Sequence, residues 1–170
     1  MINVSSLKRN KKSMLYTVCC FLGIGVISVL ASGCASSKET VDLKAIYDDA
    51  MSYADESNDV VTGEMLEKAG CMQLSVSETY ISVDTNPFEV EPKLLDTEGE
   101  VAWGLYYGVT KQTLEHIIEK LELPEALYQR FEDVEDADFD VEETVEKFDT
   151  VTVTYSYSSS KGLEVVFSVD

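Results

Sequence analysis

Apolar and polar residues alternate most regularly near the end of this chain. Val151, Val153, Tyr155 and Tyr157 are interleaved with Thr152, Thr154, Ser156 and Ser158. After Ser159 to Gly162, Leu163, Val165, Phe167 and Val169 alternate again. A period of two sends successive side chains to opposite faces, so the pattern predicts an antiparallel hairpin with one apolar face and one Thr/Ser face. Upstream the period becomes helical. Leu43, Ile46, Tyr47, Ala50, Met51 and Ala54 predict a helix from Thr40 to Ser57, with Thr40 as its N-cap. A shorter helix is predicted over Gly63 to Ala69, closed by Gly70. Met72, Leu74 and Val76, then Tyr80, Ile81 and Val83, suggest one strand or two joined near Glu78.

The middle of the chain reads less cleanly. Asp84 to Glu100 has Pro87, Pro92, Gly99 and no clear period, so it is expected to be a long functional loop or a mobile excursion. Val101, Trp103, Leu105 and Tyr107 alternate with Ala102, Gly104, Tyr106 and Gly108, which predicts a strand with the first set in the core. The second face carries one large ring between two glycines, where another element can approach closely. A helix capped by Thr110 is expected through Glu122, with Leu114, Ile117, Ile118 and Leu121 inward. Pro124 would stop it and open another helix through Phe131. The acid-rich run Glu132 to Glu146 then reads as a solvated linker into the hairpin. This order of elements predicts an α+β fold: an antiparallel sheet with helices packed on one face, ending in a C-terminal β-hairpin.

The first forty residues carry a different pattern. Lys8, Arg9, Lys11 and Lys12 precede an uncharged run from Met14 to Ala31, and Leu30-Ala31-Ser32-Gly33-Cys34 ends it. A basic segment followed by an apolar one is the layout of a signal peptide. The run is also long enough for a permanent membrane helix. Gly23, Gly25 and the small residues before Cys34 favour cleavage. This segment resembles the bacterial lipoprotein class, with Ala31 where that class most often has Leu. The resemblance implies that residues 1–33 are removed and that Cys34 accepts diacylglycerol and further acyl chains such as palmitate. Residues 34–40 would be a lipidated tether. Residues 41–170 would be a single α+β domain held at the extracytoplasmic face of the cell membrane.

Charge narrows the partners. The chain has 32 acids against 13 Lys and Arg, for a net charge of −19 at pH 7. Four of those basic residues lie before Cys34, so the segment behind it is more acidic still. Such a surface repels phosphate backbones, which excludes nucleic acid as a partner, and it repels anionic headgroups, so the lipid is the membrane contact. Of the four cysteines, Cys19 and Cys20 lie in the signal segment and Cys34 is the lipidation residue. Cys71 then has no internal disulfide partner, and its apolar neighbours predict burial.

Candidate chemistry is sparse. Asp136, Asp138 and Asp140 alternate carboxylates in the manner of a calcium loop. The EF-hand would need Gly and Glu where Val141 and Lys147 stand, so only a weak Ca2+ site is left as an expectation, and no other cofactor is implied. Ser158 to Lys161 has the Ser-x-x-Lys spacing of penicillin-binding enzymes but falls in a hairpin turn. His116 is the only histidine and is expected at a solvent or rim position on its helix. Trp103, Tyr106 and Tyr107 are the candidate binding residues. Tyr106 facing outward would stack on a sugar or anchor a protein contact, whereas packing in the core is the plainer alternative for all three.

Gly108-Val109-Thr110, a helix, Pro124 and the Tyr-x-Tyr…Lys-Gly-Leu-x-Val-x-Phe hairpin resemble one unit of the envelope modules related to the β-lactamase-inhibitor-protein fold. That resemblance implies binding rather than catalysis. The expected function is a lipid-anchored binding or interaction module of the cell envelope, contacting an envelope protein or cell-wall ligand. The alternatives are an envelope enzyme using carboxylate acid/base chemistry, or an accessory subunit of an envelope complex.

Overall fold

The computed structural model describes residues 40–136 and 140–169. The expected lipidation residue Cys34 and the middle candidate cation ligand Asp138 lie outside these residues.

The described chain opens with helix α1 (Leu43–Ser57) and helix α2 (Gly63–Ala69). Asp42, not Thr40, caps α1: its carboxylate accepts from the Ala45 N–H at 3.0 Å. Thr62 caps α2, and Gly70 closes it in the left-handed conformation at φ 89°, which glycine adopts without steric cost. Strands β1 (Met72–Leu74) and β2 (Tyr80–Asp84) follow, so the alternation around Glu78 is two strands and a turn. A short 3-10 turn (Pro92–Leu94) leads into helix α3 (Thr97–Lys120), and helix α4 (Glu125–Asp136) comes next. Strands β3 (Val141–Lys147), β4 (Thr152–Ser158) and β5 (Gly162–Ser168) complete the order.

The five strands form one antiparallel sheet in the order β1-β2-β5-β4-β3. The last strand therefore lies in the middle. Its register aligns buried residues in rows. Val83, Val165 and Tyr155 form one, and Ile81, Phe167 and Val153 form the next. The helices pack on this face. Leu43, Tyr47, Ala50 and Ala54 come from α1, Leu114, Ile117 and Ile118 from α3, and Leu127 and Phe131 from α4. Phe131 meets Tyr155 edge-on at 5.0 Å. Cys71 is fully buried, and burial raises its thiol above the usual pKa, with the Thr110 hydroxyl opposing the shift. The fold is α+β, with the helices on the sheet's apolar face and the predicted C-terminal hairpin in place.

The middle of the chain corrects several further expectations. Val101 to Gly108 is not a strand. It is the first half of α3, continuous with the helix expected from Thr110, and the helix ends at Lys120. Asp96 caps α3 by accepting from the Gly99 N–H at 2.8 Å, and Glu98 and Glu100 sit in the first turn, where the helix dipole favours acids. Thr110 is therefore a buried mid-helix residue rather than a cap. The loop from Asp84 to Glu100 shrinks accordingly, because β2 takes its start and the 3-10 turn and α3 take its end.

The acidic run is likewise not a linker. α4 continues past Phe131 to Asp136, and Val141–Lys147 pairs along β4 as an edge strand. Exposed Glu142, Glu143 and Lys147 place charge on that edge, which discourages pairing with another chain.

Candidate functional site

A groove of about 350 Å³ opens between the first half of α3, the segment after β2, the end of α4 and the β4–β5 turn. Its shape depends on Asn86, a polar residue only 3% exposed. The Asn86 backbone N–H donates to the Asp84 carboxylate at 2.8 Å, which holds the turn. Its side-chain amide donates to the carbonyls of Val90 at 2.9 Å and Ser160 at 3.0 Å. Its side-chain oxygen accepts from Trp103 Nε1 at 3.2 Å. One buried amide thus ties together the loop, the hairpin turn and α3. Unsatisfied, it would be costly; satisfied on every side, it is a rigid joint.

Beside it, Thr85 and Leu163 exchange two bonds. The Thr85 N–H donates to the Leu163 carbonyl at 3.0 Å, and the Leu163 N–H donates to Thr85 Oγ1 at 2.9 Å. Gly162 passes so close that a Cβ there would meet Thr85 Oγ1 and Asn86 Cβ at 2.8 Å, and its φ of 80° is itself the glycine region. Burial pushes the Asp84 carboxyl up to about 6, with Glu164 and Glu89 adding to it and the Asn86 N–H opposing it.

The opposite wall is formed by Trp103 and Tyr107 of α3, and Lys111 continues their four-residue ladder into a neighbouring depression. The Trp103 and Tyr107 rings stack at 4.8 Å and 17°. The Tyr107 hydroxyl donates to Glu135 Oε2 at 3.2 Å, and Lys111 Nζ also bonds Glu135 Oε2. The Lys111 and Glu135 side chains are 11% and 10% exposed, so this ion pair is largely dry. Lys111 also lies 5.1 Å from the Tyr128 ring centre. Burial, then the Glu135 charge, raises the Tyr107 hydroxyl far above its ordinary value; it remains a neutral donor. Burial raises Tyr128 to about 12.

The structure thus brings Trp103 and Tyr107 together and separates Tyr106 from them. Tyr106 points elsewhere on α3 and meets Phe88 edge-on at 5.8 Å. Trp103 and Tyr107 are half-buried at the groove instead of sealed in a core. Asp136 ends α4 at the groove, and Asp140 precedes β3 near a neighbouring depression. Among the described residues no group of three or more His, Cys, Asp or Glu gathers as a metal site.

Sequence reasoning missed Asn86, Lys111 and Glu135. Only the Asn86-Pro87 turn signal was locally available. His116 sits half-buried at the rim of its helix, as expected, but with partners that the sequence did not indicate. Its side chain is 14% exposed, stacks on Tyr53 at 4.2 Å and 7°, and bonds Asp49 Oδ2 at 2.8 Å. Lys120 reaches the same oxygen at 3.0 Å, and these two partners, Lys120 foremost, hold the Asp49 carboxyl below its usual value. This cluster pins α1 to α3.

The chain matches no protein-family model, and no curated protein or solved structure is significantly similar to it. Among the described residues no helix is long and apolar enough to cross a membrane.

Proposed function

We propose that this chain is a lipid-anchored binding module of the bacterial cell envelope, with Cys34 as the lipidated residue and the groove beside α3 as its binding surface. The basic, apolar and small-residue pattern ending at Cys34 supports the anchor. The stacked pair Trp103 and Tyr107 carries the binding reading. Asn86 and Glu135 occupy the polar ends of the two rings, which fixes their orientation at an open groove. Rigid aromatic surface held ready before a ligand arrives lowers the cost of binding it. A groove of this volume lies at the lower end of the usual range for small-ligand sites.

Two measurements test the reading. Metabolic labelling with an alkyne fatty acid should mark the wild-type chain and leave Cys34→Ser unlabelled. A photo-crosslinking residue in place of Lys93, at the groove, should trap a specific envelope component, and Tyr107→Ala should abolish the adduct. Equal labelling of Cys34→Ser would overturn the anchor. Trapping that survives Tyr107→Ala would overturn the groove.

A further inference from the structure

We infer that the groove takes an organic cation, an ammonium or guanidinium group, seated against the Trp103–Tyr107 stack and facing the Asp136 carboxylate at the end of α4. The inference rests on the groove being the binding surface.

The groove's lining carries it. Several of the groove's donors are committed within the protein, and the hydroxyls of Thr85, Tyr157 and Ser159 also line it. Trp103 Nε1 is given to Asn86, the Asn86 amide to two carbonyls, and the Tyr107 hydroxyl to Glu135. Lys93 Nζ lies 3.0 Å from Glu91. Acceptors remain. Both bonds to Glu135 fall on Oε2, which leaves Oε1. Among the described residues no ion pair engages Asp136. Glu91, Glu135 and Asp136 give the lining three carboxylates against the single ammonium of Lys93, a balance that suits a positively charged ligand. Ammonium and guanidinium groups carry that charge and donate to carboxylate oxygens.

Electrostatics agree. Asp136 is the last residue of α4, where the helix dipole already presents negative charge. A carboxylate there is unfavourable for the helix, yet it adds to the field that a cation meets. Aromatic faces attract cations further, with Trp the strongest. The net charge of −19 steers cations toward the whole molecule.

Trp103 is the chain's only tryptophan, so its fluorescence reads the groove directly. The full chain in detergent micelles would be titrated with N-acetyl-arginine amide, its neutral isostere N-acetyl-citrulline amide, and N-acetylglucosamine. The arginine derivative should give a saturable change in the millimolar range or tighter, at least about tenfold tighter than the citrulline derivative. Asp136→Asn should weaken it about tenfold, and added salt should weaken it further. Because Asp136 is exposed, that variant should keep its fold, as circular dichroism would show.

Equal response to the citrulline derivative, saturation by N-acetylglucosamine alone, or no saturation by any probe would overturn the inference. Continued Tyr107-dependent crosslinking in that event would leave the groove standing as a binding surface. Loss of both would remove the two readings together.

Discussion

The two halves of α3 belong to one helix and do opposite things. From Val109 to Ile118 the helix contributes seven buried residues to the interior, among them Leu114 and Ile117 at 0% exposure. From Thr97 to Gly108 it buries none, and Val101 and Leu105 stand exposed. The second half is held by apolar burial. The first is held by its cap, by Trp103 on Asn86 and by the Phe88–Tyr106 contact. A helix rooted in the core can carry side chains to a surface with little wobble, which is how a rigid site is built outside a core.

The largest expected effect lies in the rooted half. Leu114→Ala should cost about 2–5 kcal/mol of unfolding free energy, whereas Val101→Ala should stay within about 0.5 kcal/mol. Denaturant titration measures both, and equal losses would erase the distinction between the halves. Lys111 stands at the junction. Lys111→Met strands Glu135 in a dry site and should cost about 3 kcal/mol, while Lys111→Met combined with Glu135→Leu should recover most of it. Failure of the double variant to recover would mean the pair contributes more than mutual neutralisation.

Asp84 extends the comparison to the turn that holds Asn86. Its folded-state pKa of about 6 lies above the ordinary 3.8. The stability linked to its proton is fully present below about pH 4 and is lost as pH rises through about 6. Asp84→Asn keeps an oxygen for the Asn86 N–H and removes that loss. It should gain on the order of 1–2 kcal/mol at pH 8 relative to its effect at pH 4, allowing for solvent screening. Stability curves at the two pH values check this, and parallel curves would refute it.

The smallest effect is in the projecting half. A Cβ at Gly104 or Gly108 meets nothing within 4 Å. Gly104→Ala and Gly108→Ala should each stabilise by about 0.5–1 kcal/mol through helix propensity alone. A loss instead would reveal a close neighbour at that face.

What the sequence revealed follows the same division. The hairpin, α1 and the core half of α3 were legible because each buries one face, and burial imposes a period on the side chains. The projecting half buries no residue fully, and its half-buried side chains are only those of Trp103, Tyr106 and Tyr107, so the helical stripe there is weak. Its aromatic and β-branched residues happen to alternate, which imitates a strand. The Asp96 cap and the four-residue ladder of Trp103, Tyr107 and Lys111 were the available counter-signals. β3 was hidden for a related reason: an edge strand is held by backbone pairing, and Glu142, Glu143 and Lys147 carry no apolar pattern. Asn86 was beyond local reach, since its bond to Ser160 spans 74 positions.

The place of β5 in the sheet has a consequence for how the chain is made. The ribosome delivers β1, β2, β3 and β4 before Gly162–Ser168 emerges, and until then β2 and β4 have no strand to share. Two separate ribbons must wait, since isolated two-stranded pairs are marginal in water. The sheet, and the Asn86 joint that needs the turn at Ser160, can close only after the last described strand arrives. A nascent chain of this topology keeps its sheet open until Gly162–Ser168 has been delivered.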